Sequence, residues 1–335
     1  MPHGVAVLYG GGGVVGAALR TLLLPAELLF RAASRGYHAA YDSGLMPATS
    51  VARPVISVGN LTIGGAGKTP VVRWLVRELK TLGRRPAVLH GGYAEDEPAL
   101  HRHWHPDVQV RAERSRVRAA GQAIAAGADV LVLDDAFQHR RIARDLDLVV
   151  IAAEHWRTRP RLLPCGPWRE PPRALRRADV VVVTRRTADE RRAVAVEHAV
   201  GQWFGGPTAR VWLRPAGWTR FRARDAAKER SARPAGPVLA VTAIADPGAF
   251  LDNACAAGAQ IEDRVLFRDH HDFTRSDVDA LRAAAAGRDI VTTEKDAVKL
   301  NEVAPDLRVW VLEQELVLES GAGPLLAAVR SAVAR

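Results

Sequence analysis

Short apolar runs alternate with helix-like patterns from residue 55 onwards. The apolar runs are typical of buried parallel strands and comprise Val55–Val58, Pro86–Leu89, Val130–Leu133, Leu148–Ile151 and Val180–Val183. Amphipathic patterns around residues 70–82 and 114–127 indicate crossover helices between them. This rhythm predicts an α/β fold whose mostly parallel sheet carries helices on both faces.

The rhythm also suggests a division of the chain into four parts. It is lost over residues 206–235, which are rich in arginine, proline and glycine, and it resumes at the apolar run 238–245. A helix near 247–258 and a strand at Asp289–Thr293 then complete a second, smaller α/β unit. We therefore predict four parts: an N-terminal segment 1–50, a main domain 51–205, a linker 206–235 and a smaller C-terminal α/β domain 236–335.

The N-terminal segment is apolar and glycine-rich, but Arg20, Pro25 and Glu27 interrupt it, so we predict no transmembrane span. Six large apolar residues lie on or near one face of a helix that is flanked by Arg20 and Arg31: Leu22, Leu23, Leu24, Leu28, Leu29 and Phe30. The pattern favours an amphipathic helix at a membrane interface. A helix packed into the core is the alternative that it leaves open.

A glycine-rich loop, GNLTIGGAGKTP, lies between the first apolar run and the first helical pattern. A strand, a flexible turn and a helix N-terminus in this order form a phosphate cradle, to which Lys68 adds a positive charge and Thr69 a hydroxyl for Mg²⁺. Thr62 stands where such loops usually have their first glycine, but the later glycines still allow close backbone approach. We expect a nucleoside triphosphate to contact Thr62, Ile63, Gly64, Gly65, Ala66, Gly67, Lys68 and Thr69.

Two adjacent aspartates, Asp134 and Asp135, follow the apolar run Val130–Leu133. Ligands collect at the carboxyl ends of parallel strands, and a carboxylate there is the expected partner of Mg²⁺ after a phosphate loop. Neighbouring residues of an extended chain point in opposite directions, so the two need not both contact the metal. An acidic turn is the alternative, because aspartate is a common turn former.

Further polar clusters occur after the second strand and in the C-terminal domain. Asp96, within EDEP, is a candidate for a catalytic base or a metal contact, or it caps the helix that follows. His270 and His271, within RDHHDF, are candidates for a catalytic or orienting histidine. Zinc would need more ligands than this spacing offers.

Composition changes this picture little. The 335 residues are 48% hydrophobic and carry a formal net charge of +10, which favours anionic partners, although arginine spread along the chain also fits compositional bias. Because no basic strip is interleaved with aromatic residues, we expect no nucleic-acid partner. The two cysteines, Cys165 and Cys255, lie far apart and predict neither a disulfide framework nor a metal site.

Six motifs occur in one order and together resemble the tetraacyldisaccharide 4′-kinase family of the lipid A pathway: GNLTIGGAGKTP, DEP, DDAFQH, LPCGPWREP, DHH and TTEKDAVKL. The resemblance implies a P-loop NTPase-like domain that uses ATP and Mg²⁺. It also implies an acylated disaccharide-1-phosphate lipid substrate, which is phosphorylated at its 4′-hydroxyl.

The same resemblance assigns roles to individual residues. Lys68 and Thr69 would serve the ATP phosphates and Mg²⁺, with Asp134 and Asp135 as carboxylates on the metal side. Asp96 and His270 would form the dyad that receives the proton of the sugar hydroxyl; since we place them on different domains, we expect this pair to form only when the domains close. Four further candidates for substrate contact are Arg114, Gln138, Arg169 and Glu170.

The family also implies a monomer bound peripherally to the anionic cytoplasmic face of the bacterial inner membrane through its N-terminal helix. The chain departs from the family pattern at His90-Gly91-Gly92-Tyr93, which lacks an arginine, and at Ala136, which replaces a glycine. Alanine is disfavoured there only if the backbone needs a positive φ. The alternative function is a membrane-associated P-loop ATPase or switch without lipid kinase activity, but such loops tend to carry an early lysine where this chain has Ile63.

Overall fold

The computed structural model describes residues 13–92, 95–157, 160–221 and 233–334. The chain forms two compact units. Unit 1 comprises Met1–Tyr93, Val108–Trp212 and Val317–Arg335, and unit 2 comprises Ala94–Asp107 and Leu213–Leu316.

The helices of the described residues are, in chain order, α1 Gly13–Asp42, α2 Lys68–Thr81, α3 Asp96–Trp104, α4 Arg116–Ala125, α5 Glu190–Gly201, α6 Pro247–Ala256, α7 Arg275–Ala285, α8 Glu294–Val303 and α9 Ala322–Val333. A short 3₁₀ helix spans Pro172–Arg177. The strands are β1 Val55–Asn60, β2 Pro86–His90, β3 Gln109–Ala112, β4 Val130–Asp134, β5 Leu146–Ala152, β6 Val180–Arg185, β7 Thr208–Arg220, β8 Pro237–Thr242, β9 Gln260–Leu266, β10 Asp289–Thr292 and β11 Val309–Ser320.

Unit 1 is built on a parallel sheet in the order β3-β2-β4-β1-β5-β6-β7. All five strands predicted from apolar runs are present, and β1, β2, β4 and β5 are buried along their whole length. The helix α2 buries an apolar stripe that includes Val72, Leu75 and Leu79. Separate buried clusters, one around Phe137 and Trp168 and one around Leu131 and Leu133, form the core of this α/β unit.

Unit 2 contains parallel strands in the order β11-β10-β8-β9. Its largest buried cluster includes Leu239, Val241, Phe273, Leu281 and Leu300, which come from β8, α7, α8 and the segment before α7. The predicted second α/β unit, with its helix at α6 and its strand at β10, is therefore present.

The structure differs from the predicted division of the chain in three places. Residues 208–220 of the predicted linker form the strand β7, and residues 222–232 of that linker lie outside the described residues. Two of the arginines that suggested a linker pair with carboxylates: Arg210 with Glu197 at 2.9 Å and Arg214 with Glu315 at 3.0 Å. The helix α3 belongs to unit 2, and α9, expected in the C-terminal domain, belongs to unit 1 and contacts β1 and β5.

The N-terminal helix α1 is long and amphipathic. It leaves Leu22, Leu28 and Leu29 63–78% exposed, whereas Glu27 on the opposite side is buried. Residues 1–12 of the predicted N-terminal segment lie outside the described residues. Among the helices that the structure describes, none combines the length and the apolarity needed to cross a bilayer.

Candidate active site

The glycine-rich loop connects the end of β1 to the start of α2, as the sequence predicts. Gly64 and Gly67 have φ values of 98° and 88°, which side chains with a Cβ rarely adopt. Gly67 is the N-cap of α2, and this end of the helix has neither a capping side chain nor an acidic residue in its first turn. The helix itself thus adds no carboxylate at its positive N-terminus, which suits the binding of phosphate.

The carbonyl groups of the loop are tied to the rest of unit 1. The side chain of Arg186 donates to the Gly65 oxygen, and the hydroxyl of Thr184 donates to the Ala66 oxygen, both at 2.8 Å. The backbone N–H of Ile63 donates to Pro167 at 2.8 Å, and Thr62 forms a bridge with Trp168. These bonds fix the loop against the segment 160–171, although the Ile63 side chain itself is exposed.

Lys68, Asp135 and Arg169 meet beside the loop. The Lys68 ammonium lies 3.7 Å from one Asp135 oxygen, and Arg169 binds both oxygens of that carboxylate, at 2.7 and 3.2 Å. Burial opposes ionisation of Asp135, but Lys68 and Arg169 outweigh it and hold its pKa well below the usual range. Asp135 is therefore ionised at neutral pH. Its two cationic partners, Lys68 and Arg169, are side chains that also bind phosphate groups.

Asp134 ends β4 and is fully buried, whereas Asp135 follows it with a left-handed backbone (φ 50°). The positive φ thus falls on Asp135 and not on Ala136, so the backbone at position 136 does not require glycine. The Ala136 side chain packs in the core. Thr69 lies on the first turn of α2 and is half-buried. The hydroxyl of Thr69 and the carboxylates of Asp134 and Asp135 are hard oxygen donors, a set that fits Mg²⁺ rather than a softer metal.

Glu170 and Gln138 form a buried hydrogen-bonded group. Both oxygens of Glu170 accept from Arg177, at 2.8 and 2.9 Å, and His38 of α1 lies 2.9 Å from one of them. Burial opposes ionisation of Glu170, but His38 and Arg177 lower its pKa to about 2. Gln138 donates to Glu170 at 3.1 Å and to the Asn60 carbonyl at 2.8 Å. These contacts make Glu170 a link between α1 and the end of β1.

The other two candidates for substrate contact lie in different surroundings. Arg114 is exposed in the turn between β3 and α4. Arg169 is 22% exposed. It donates hydrogen bonds to the Asn60 side chain and to the Asp135 carboxylate. Both guanidinium groups retain surface that an anionic ligand can contact.

Asp96 and His270 are in direct contact within unit 2. Asp96 is the first residue of α3, and one of its oxygens accepts the backbone N–H of Glu97 at 2.9 Å. Its other oxygen lies 2.7 Å from Nδ1 of His270 and 3.0 Å from the ammonium of Lys295. A hydrogen bond from Trp104 to Glu294, at 2.9 Å, holds the far end of α3 to α8.

The expectation that this pair forms only on domain closure is wrong. Asp96 belongs to unit 2 together with His270, because α3 packs on α8, so the contact needs no movement of one unit against the other. Burial opposes ionisation of Asp96, but His270 and Lys295 outweigh it and lower its pKa, while the hydrogen bond that His270 donates to Asp96 raises the pKa of His270. The ammonium groups of Lys295 and Lys299 lie 3.0 and 4.0 Å from the same Asp96 oxygen.

The two adjacent histidines have separate environments. His270 has a left-handed backbone (φ 59°), its backbone N–H donates to Ala243, and its side chain is about half exposed. The ring of His271 instead lies 3.1 Å from Asp277 and stacks on Phe267. The structure therefore selects His270 as the partner of Asp96.

Sequence reasoning singled out neither Lys295 nor His38. Lys295 and Lys299 are two of only five lysines in the chain and lie one helical turn apart in TTEKDAVKL, which was an available signal. No local pattern could identify His38, since its role depends on Glu170, which is distant in the sequence.

Comparison with known proteins identifies the family of this chain. Residues 19–333 match the family model described as tetraacyldisaccharide-1-P 4′-kinase. A relative from Anaeromyxobacter sp. (strain Fw109-5), named tetraacyldisaccharide 4′-kinase, is 41% identical, with 95% of this chain and 93% of the relative covered. A protein of the same name from Chlorobium luteolum is 34% identical, with 84% and 87% covered.

One solved structure is similar over nearly the whole chain. It is the "apo" form of LpxK from Aquifex aeolicus in complex with ATP, which is 27% identical and has a TM-score of 0.74. The similarity covers 94% of this chain and 99% of the other. The α/β fold and its N-terminal helix are thus confirmed.

Proposed function

The chain belongs to the tetraacyldisaccharide-1-P 4′-kinase family, and from this membership we propose that it transfers the γ-phosphoryl group of ATP to the 4′-hydroxyl of a tetraacyldisaccharide 1-phosphate. The observation that carries the proposal is the family match over residues 19–333 of a chain whose phosphate loop contains Lys68 at the start of α2. The reaction is a step of lipid A biosynthesis.

The nucleotide role falls to unit 1. The loop 62–69 binds the phosphates through its backbone, and Lys68 neutralises charge on the group being transferred. Thr69, Asp134 and Asp135 would hold Mg²⁺, which would supply further positive charge to the phosphates when bound. Binding of ATP draws Lys68 from Asp135 to the phosphates, since both are anionic partners of the same ammonium.

The acceptor role falls to unit 2. With Asp96 ionised and 2.7 Å from Nδ1, the proton of the neutral imidazole lies on Nδ1, which leaves Nε2 as the proton acceptor. His270 then accepts the proton of the 4′-hydroxyl as this oxygen attacks the γ-phosphorus and ADP leaves with the bridging oxygen, and Asp96 stabilises the imidazolium that forms. The half-exposed ring of His270 is accessible to a substrate hydroxyl.

The substrate contacts divide into two kinds. Arg114 and Arg169 contact anionic or polar groups of the glycolipid, because their guanidinium groups retain accessible surface. Gln138 and Glu170 act indirectly. Glu170 positions α1 through His38, and Gln138 positions the end of β1 through the Asn60 carbonyl. Arg169 also orients Asp135.

The helix α1 binds the anionic cytoplasmic surface of the inner membrane, and the protein acts there as a peripheral monomer. The support is the exposure of Leu22, Leu28 and Leu29 on a helix that also presents Arg31. Replacing the three leucines with serine should reduce co-sedimentation with anionic vesicles at least tenfold. The matched control is Leu266→Ser, at an exposed leucine of unit 2; equal binding of both variants and of the wild type would contradict the proposal.

A transfer assay tests the function. The protein is incubated with Mg²⁺, ATP labelled at its γ-phosphate and the disaccharide 1-phosphate lipid, and label is then measured in lipid and in inorganic phosphate. Label in the lipid fraction supports the kinase. Label released only as inorganic phosphate would instead favour the alternative, an ATPase or switch without lipid kinase activity.

A further inference from the structure

The Asp96–His270 pair has a third member, Lys295 of α8. Its ammonium lies 3.0 Å from the Asp96 oxygen that His270 also contacts. It also lies 3.4 Å from Nδ1 and 3.5 Å from Nε2 of the His270 ring, so it faces both nitrogens at nearly equal distance. The Lys295 side chain is only 17% exposed, so solvent screens this charge incompletely.

The charged groups around His270 come from three elements. Asp96 of α3 lies on Nδ1, and Lys295 of α8 lies beside the ring. Lys299, one turn further along α8, is 4.0 Å from the same Asp96 oxygen and donates to the backbone of His271. Asp269, in the loop of His270 itself, is 3.9 Å from Nε2. From β8 and the residues directly after it, the group in contact is the Ala243 carbonyl, which carries no charge.

Two opposing influences therefore act on the imidazole. The two carboxylates favour its protonated form, and an imidazolium cannot accept a proton from a hydroxyl. The ammonium of Lys295 favours the neutral form, because a second positive charge beside the ring costs Coulomb energy. Lys295 also neutralises the Asp96 oxygen for which His270 competes.

We propose that Lys295 is a positioning residue that favours the neutral, proton-accepting form of His270, while it holds the Asp96 carboxylate against Nδ1. The proposal rests on the proposed role of the dyad in phosphoryl transfer. It assigns two tasks to two residues. Asp96 fixes the tautomer of His270, and Lys295 limits how far the negative charge of Asp96 stabilises the protonated ring.

The direct test is an NMR titration of the His270 ring nitrogens, with Lys295→Gln as the variant, because glutamine keeps a hydrogen-bond donor for Asp96 without the charge. We expect the pKa of His270 to rise by about one unit relative to the wild type. The matched control is Lys299→Met, which removes a charge from the same helix but not from the ring, and should give a smaller rise. An unchanged or lowered pKa in Lys295→Gln would overturn the proposal.

Kinetics supply the second readout. In Lys295→Gln, the acidic limb of the kcat–pH profile should move to higher pH by the same amount, so that activity lost at neutral pH returns in alkaline buffer. Lys295→Arg should restore the wild-type profile, because it restores the charge. A variant that is equally slow at every pH would show a merely structural role and would also overturn the proposal.

The two measurements separate this inference from the function on which it rests. The titration needs no turnover, so a protein without lipid kinase activity still reports the effect of Lys295 on His270. If Lys295→Gln does not fold, Lys295→Met and Lys295→Arg provide the same comparison of a neutral and a charged side chain. If the pKa of His270 rises in Lys295→Gln but the wild-type protein forms no phosphorylated lipid, the proposed kinase activity is contradicted, whereas the effect of Lys295 on His270 is supported.

Discussion

Replacing Glu170 with glutamine tests how α1 is held to the rest of unit 1. Glu170 is only 2% exposed, and its carboxylate pairs with His38 of α1 and with Arg177 of the 3₁₀ helix. Glutamine has nearly the same shape but no charge. The change therefore removes the negative charge of the carboxylate from both contacts while it keeps the packing.

The magnitude follows from the pKa of Glu170, which falls from an ordinary value of 4.5 to about 2 in the folded protein. This difference corresponds to about 3 kcal/mol of folding free energy at pH 7. Because the pKa is lowered by folding, the contribution is complete above pH 4.5 and is lost as the pH falls toward 2. About 1.5 kcal/mol should remain at pH 3.

The assay is urea unfolding at pH 7 and at pH 3, followed by tryptophan fluorescence. Trp168 is buried in the same segment as Glu170, and its ring packs edge-on against Trp156, so it reports local unfolding. Glu170→Gln should lose about 3 kcal/mol at pH 7 and about half of that at pH 3. The control is Glu315→Gln, whose pair with Arg214 is about half exposed and should be worth less than about 1 kcal/mol.

Two results would refute this reasoning. A loss below about 1 kcal/mol at pH 7 would show that the buried pairs contribute no more than surface pairs do. An equal loss at both pH values would show that the effect comes from shape and not from charge. Either result would remove Glu170 as the ionic link between α1 and the 3₁₀ helix.

Three further predictions concern the chemistry itself. Lys68→Ala should reduce kcat at least tenfold, since it removes a cation from the transferring phosphoryl group, and steady-state kinetics that retain more than about a tenth of the wild-type kcat would contradict this role. Asp134→Ala and Asp135→Ala should alter the Mg²⁺ dependence of activity unequally, because one ends a strand and the other follows it with a left-handed backbone; two titration curves like the wild type would remove the metal assignment. Asp96→Ala and His270→Ala should each lower kcat by roughly 10²–10⁴-fold with little change in ATP affinity, and the double variant should be scarcely slower than either single one; multiplicative losses would indicate separate roles.

Local signals were enough to predict the elements of unit 1 that form the glycine-rich loop and its flanking strand and helix. The strand ending at Asn60, the glycine turn and the helix starting at Lys68 are adjacent in the sequence, so periodicity and glycine content identify them together. The same holds for Asp134, since a buried apolar run ends there. Such features require no knowledge of distant contacts.

The features that the sequence did not reveal depend on distant partners. The arginines of β7 suggested a linker because their carboxylate partners lie elsewhere; Glu197, which pairs with Arg210, is on α5. The helix α3 was placed in the nucleotide domain because it follows β2 in the chain, whereas its contacts, such as Trp104 with Glu294, lie in unit 2. Neither pairing has a local signature.

The position of the new phosphate on the lipid tests the central claim most directly. The product formed from ATP, Mg²⁺ and the disaccharide 1-phosphate lipid is isolated, and phosphorus–proton correlation NMR locates each phosphate. We predict a second phosphate on the 4′ oxygen with the wild-type protein and essentially none with Lys68→Ala. An unchanged lipid alongside ATP hydrolysis, or a phosphate on another hydroxyl, would contradict the assignment of this chain as a 4′-kinase.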